Sequence, residues 1–192
     1  RSRLFPLREG SQPDCGRRVT AASEWVTHAR SLLSSEPSPG QQPLEIGYRR
    51  AGSAAYYGLF HALTLAGSNV FAAGGEALSF QVTRAFSHTA VRKVCGAYAR
   101  PPAKPFSIGY DHLNEHLPSP ELIVMAQAFE RLQENRFTAD YDLLAVFELE
   151  DAERLVELAE GALTALATAQ GRPDTIIFLT ALLLADRWTR RG

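Results

Sequence analysis

Cysteine is scarce in this chain of 192 residues, which has only Cys15 and Cys95. Two thiols far apart exclude a disulfide framework and offer no metal-ligand spacing, so a reducing cytoplasm is the expected setting. An excess of charge of one sign is also lacking. Twenty Lys and Arg stand against 21 Asp and Glu, a formal net charge of −1. That balance excludes a broadly basic surface that coats nucleic acid, so any RNA contact has to be local. Long hydrophobic runs are missing too. The longest, Thr175 to Ala185, is bracketed by Asp174 and Asp186 and falls well short of the about 20 residues a membrane span needs. No apolar stretch follows the opening Arg-Ser-Arg, so no targeting signal is expected and the chain reads as soluble. Strand alternation and internal repeats are absent, as are a P-loop, a GxSxG elbow, a CxxC pair and the Gly-Ser with paired aspartates of a nucleotidyltransferase. The expected fold class is all-α, with no cofactor.

What is present is helical periodicity. Residues 1–16 hold Pro6, Gly10, Pro13 and Gly16 without a pattern and read as an irregular arm, leaving 17–192 as one helical domain. Arg17 to Ser34 places Val19, Ala22, Val26, Ala29 and Leu33 at steps of three and four, which predicts an amphipathic helix. A Pro- and Ser-rich linker runs to Pro43. Gly47 to Leu65 follows, apolar on almost every side. At about 100° per residue, Gly47, Ala51, Ala54, Ala55, Gly58 and Ala62 share one small-residue strip, with Ser53, Tyr56, Phe60 and Leu63 opposite. Such a helix belongs in the middle of a bundle. Between its two surfaces runs a polar line, Arg50, Tyr57 and His61, which is either an interhelical hydrogen-bond set or the border of a ligand site.

Gly67 to Gly75 reads as a turn, and Glu76 to Tyr98 as a third long helix with Arg84, His88 and Arg92 four apart on one face. That face is either solvated or a patch for phosphate or a partner. Arg100 to Pro120 is a proline-rich connection. Within it, His112-Leu-Asn-Glu-His116 formally matches H-x-x-E-H, but Pro118 and Pro120 end any helix at once and no downstream glutamate completes the set, so no metal is expected. A fourth helix, from Pro120 or Glu121 to about Arg136, buries Leu122, Met125, Phe129 and Leu132, and Arg136 is the next position on that stripe. A guanidinium there needs a carboxylate such as Asp140 or Asp142, a neighbouring subunit, or a phosphate. Glu148 to Ala169 is a fifth helix with an acidic first turn. After Gly171-Arg-Pro-Asp174, a last helix from Thr175 to Arg190 is apolar on more than one face, which suits burial or a dimer contact.

Two stretches carry a family resemblance. Arg49-Arg-Ala-x-Ser-x-Ala-Tyr-Tyr-x-Leu-Phe-His61 resembles the signature helix of HEPN domains (higher eukaryotes and prokaryotes nucleotide-binding), in particular their prokaryotic branch. Arg136-Phe-Thr-Ala-Asp-Tyr-Asp142 resembles the later element of that branch, in the right order. The likeness runs from about Leu44 to Ala169 and implies a bundle of about five to six helices. It also implies a homodimer that binds RNA, a nucleotide or a partner protein, often a small nucleotidyltransferase acting as antitoxin. Catalytic members cleave RNA without metal at a dimer interface, an arginine holding the scissile phosphate and a histidine handling the 2′-hydroxyl proton. Arg136 matches that arginine, but Phe137 stands where a polar residue is usual and Tyr141 where the histidine would be. A phenol with an unperturbed pKa of about 10 is a poor base at neutral pH. The family pattern also has a histidine near His88. The expectation is therefore a binding module, with Arg50, Tyr57, Arg84 and His88 as candidate nucleotide or RNA contacts. The alternative is an endoribonuclease toxin using Arg136 with Tyr141, His61 or His88. A purely structural helical interaction protein is the third reading.

Overall fold

The structure is a computed structural model that describes residues 15–34, 45–71, 76–100 and 117–188. The described residues form seven helices and no strand, an all-α bundle: α1 (Cys15–Leu33), α2 (Glu45–Phe71), α3 (Glu76–Arg84), α4 (His88–Tyr98), α5 (Pro120–Tyr141), α6 (Leu149–Ala169) and α7 (Pro173–Trp188). No described helix is long and apolar enough to cross a membrane.

The predicted central helix is α2, which packs against α1, α3, α5, α6 and α7. Its small strip lets backbones come close. Ala51 and Ala55 are fully buried, and a Cβ added at Gly58 would stand 2.7 Å from Val26 Cγ2 on α1. On α5, Leu122, Met125, Phe129 and Leu132 are all fully buried, the stripe read from their spacing. They meet Tyr56, Leu59, Leu63, Val156 and Phe178 in one core cluster, and burial of apolar side chains of this size contributes about 1.5–3 kcal/mol each.

Several boundaries differ from the sequence reading. The first helix begins at Cys15, two residues inside the expected arm. Helix α2 continues through Gly67 to Phe71, into the stretch read as a turn. Gly67 is needed there because Phe86 lies against it, its Cζ 2.3 Å from where a Cβ would sit. Phe86 also explains why residues 76–98 form two helices rather than one. The chain breaks at 85–87 so that Phe86 can enter the core, and Ser87 restarts the helix as N-cap, its Oγ accepting from Ala90 N at 3.0 Å. The face predicted for Arg84, His88 and Arg92 is thereby interrupted. Helix α5 runs five residues past Arg136 and stops at Asp142, whose Oδ1 accepts from the amides of Leu144 and Ala145 at 3.0 and 3.1 Å. Gly171, at φ 81°, turns the chain from α6 into α7. The H-x-x-E-H stretch, the residues before Cys15 and the linker at 35–44 lie outside the described residues, and among the described residues no group of three His, Cys, Asp or Glu could hold a metal ion.

Candidate functional site

Two rows of α2 face the last turns of α5. Arg49, Ser53, Tyr56 and Phe60 recur at steps of four, three and four, and Tyr57 and His61 lie beside them. Because α5 stays helical to Tyr141, Arg136 and Asp140 are one turn apart on the side that meets these rows. Arg136 Nη2 donates to Tyr57 Oη at 3.0 Å. Its Nε lies 2.8 Å from Asp140 Oδ2, yet the N–H does not point squarely at that oxygen, so the contact is an ion pair rather than a well-aligned hydrogen bond. The remaining Asp140 oxygen accepts from Ser53 Oγ. Asp142, the other acid considered for Arg136, instead holds the following turn.

Aromatic rings enclose the guanidinium. Its Cζ stands 5.3 Å from the centroid of Tyr57, 5.6 Å from Tyr56 and 5.9 Å from Tyr141, all within cation–π range. Tyr56 Oη is 2.6 Å from His88 Nδ1, and the His88 ring stacks on Phe60 with centroids 3.9 Å apart. His61 lies between Trp25 and Phe60, at 5.4 and 5.8 Å, and stacks with Tyr57 at 6.3 Å. The site is shielded but open: the Arg136 side chain is 21% exposed, that of Asp140 28%, and Tyr141 and His88 are exposed.

This setting moves the titrating groups. Burial raises the Tyr56 phenol well above its ordinary value, with Arg136 opposing only in part, so Tyr56 keeps its proton. Burial lowers His61. His88 is lowered first by the partial burial of its ring, then by the positive charge of Arg136, and last by repulsion from His61 when both rings would be protonated. Both imidazoles are therefore neutral at pH 7. Burial also opposes the charge on Arg136, but Tyr57, Asp140, Tyr141 and Tyr56 outweigh it and raise its pKa. Chemically, this is one fixed cation with flat rings for stacking and two neutral imidazoles that can accept a proton.

Five of the residues singled out from the sequence thus come together: Arg136, Tyr57, Tyr141, His61 and His88. Arg50 does not, because it is exposed and its neighbour Arg49 turns inward instead. Arg84 is exposed at the end of α3, across the 85–87 break from His88. Ser53 and Tyr56 stand on the line with Phe60 and Leu63 read from the sequence, and a step of four extends it to Arg49. Trp25 gave no such sign, being an aromatic on the polar side of an amphipathic helix. Compared with protein-family models, curated proteins and solved structures, the chain matches none.

Proposed function

We propose that this chain is a HEPN-like helical module that holds a nucleotide or RNA phosphate at Arg136 and pairs with a second copy of itself. The observation that carries the reading is the convergence of Arg136 with Tyr57, Tyr141, His61 and His88 in a partly exposed aromatic setting. Asp140 neutralises one edge of the guanidinium, while Nη1 has no hydrogen-bond partner among the described residues. A phosphate would engage that free edge and compete with Asp140, and a base would stack on a tyrosine ring. Support for pairing comes from the loop after α5. Leu143 and Leu144 are 88% and 94% exposed, Val146 is exposed beside them in the chain, and Phe137 and Tyr141 are exposed on the last turns of α5. Large apolar side chains gathered in this way mark interaction surfaces. The resemblance makes a small nucleotidyltransferase the further partner, in a toxin–antitoxin or defence pair.

The test is binding of labelled single-stranded RNA and of mononucleotides by wild type, Arg136→Ala and Asp140→Asn. Losing one charge-assisted contact weakens binding about 10- to 100-fold, so Arg136→Ala should bind that much less well. Asp140→Asn should bind more tightly, because it removes the competing carboxylate. Equal binding by all three contradicts the reading.

A second reading, a metal-independent endoribonuclease, is favoured by one observation: His88, lowered partly by the charge of Arg136, stands near it, and His61 lies one ring further off beside Tyr57, although residue 141 is a tyrosine. His88 or His61 would then act as the base. Cleavage of RNA in chelator that disappears in Arg136→Ala and in His88→Gln supports it, and no cleavage by wild type removes it.

A further inference from the structure

A cavity of about 320 Å³ lies between α1, α2, α6 and α7, on the far side of His61 from Arg136 along α2. Four alanines line its walls. Ala22 comes from α1, Ala62 and Ala66 from α2, and Ala167 from α6, with Leu163 and Leu179 also lining it. It is a partly open groove, since Asn69, Val70, Gln170 and Ile176 along it are exposed. Its size falls within the range of small-molecule sites, about 300–1,000 Å³.

The lining chemistry narrows the occupant. No charged residue lines the cavity among the described residues, so an ionised ligand would lose its hydration with nothing in return. Water against the apolar walls finds few hydrogen-bond partners there, so its displacement by an apolar group is favourable. The Thr175 hydroxyl is unavailable because it donates to Ala169 O at 2.7 Å. Asn69 and Gln170 are exposed, which places hydrogen-bonding groups at the mouth and apolar surface within.

We infer that this cavity is a binding site for a neutral, largely apolar small molecule with one hydrogen-bonding end. The ligand enters between Asn69 and Gln170, keeps its polar end there, and buries an apolar ring or short chain against the alanines. The site is separate from the Arg136 cluster and does not depend on it.

The probe is N-phenyl-1-naphthylamine, a neutral dye that brightens on leaving water. Titrated into the full chain, it should show saturable binding at one site per chain. Ala66→Leu and Ala167→Phe fill the space from two different helices and should each weaken binding by at least about tenfold. Melting temperatures should hold steady or rise, as cavity filling commonly stabilises. Ala167 is exposed, so its variant keeps the test sound if Ala66→Leu disturbs folding. Leu143→Ser with Leu144→Ser should leave binding unchanged. Absence of saturable binding overturns the inference, as does unchanged binding by both filled variants or binding lost only with the surface leucines.

Discussion

Arg49 spans four backbone carbonyls: Nη1 lies 3.2, 3.1 and 2.9 Å from those of Thr138, Ala139 and Asp142, and Nη2 donates to that of Ala145. Thr138 O also accepts from Asp142 N, Ala139 lies in the last turn of α5, and Asp142 and Ala145 belong to the turn after it; a planar fork reaches all four carbonyls where an ammonium would reach one or two. Arg49→Ala should therefore destabilise the fold by on the order of 3 kcal/mol, with Arg49→Lys restoring less than half, as read from urea unfolding midpoints. Arg136 is placed differently, because its partners are side chains with solvent access. Near it, His61 and His88 bind protons less readily than their ordinary value of 6.5. Below that pH the unfolded chain takes up more protons than the folded one, so stability falls as pH drops through the window beneath 6.5 and then levels off. Asp151, held down by its hydrogen bond from Arg154, and Asp174, whose burial is outweighed by its contacts from Ser119 and Arg172, are lowered too, so they add to the loss of stability at lower pH. Their stabilisation is present above 3.8 and is lost as pH falls through their lower folded values. Unfolding midpoints between about pH 4.5 and 8 should flatten in His61→Gln with His88→Gln. Stability that rises on acidification in this window contradicts the assignment.

At the scale of elements, the helices followed from period and composition where the buried stripe was continuous. Leu122, Met125, Phe129 and Leu132 determine the buried face of α5 because nothing else on that helix competes for it. Helix ends were less legible. Gly67 looks like a breaker, yet a missing Cβ inside α2 is what admits Phe86, and only the tertiary partner reveals that use. The break at 85–87 was hidden for the same reason: Ser87 is an ordinary polar residue until Phe86 draws the chain inward. Two glycines separate these roles experimentally. Gly161 has nothing within 4 Å of an added Cβ and is exposed on α6, so Gly161→Ala should gain about 1 kcal/mol from helix propensity. Gly58→Ala gains the same propensity but forces its methyl to 2.7 Å from Val26, and overpacking costs about 1–3 kcal/mol. Thermal melts should move in opposite directions for the two variants. A gain in both would show that α1 and α2 have slack between them.

For the whole molecule, the bundle brings α2 and the end of α5 together, and that meeting places the charged, aromatic and apolar features on one side. Arg136, Tyr141 and the leucine loop adjoin there, with Arg49 and Asp142 holding the loop backbone. A surface held this way loses little entropy on docking. Light scattering at micromolar concentration should give a dimer for wild type and a monomer for Leu143→Ser with Leu144→Ser. A wild-type monomer contradicts pairing. The half of the site contributed by α2 was readable because a polar line on an apolar helix is conspicuous. Asp140 was legible only as one of two acids, because helical continuation past Arg136 decides which one shares its face. The most direct measurement of the central claim is a nuclear magnetic resonance titration that follows the Arg136 Nε–H and the His61 and His88 ring signals as a short RNA or a mononucleotide is added. Saturable shifts at Arg136 and the two imidazoles are predicted. Shifts confined to other parts of the chain, or none at all, would contradict it.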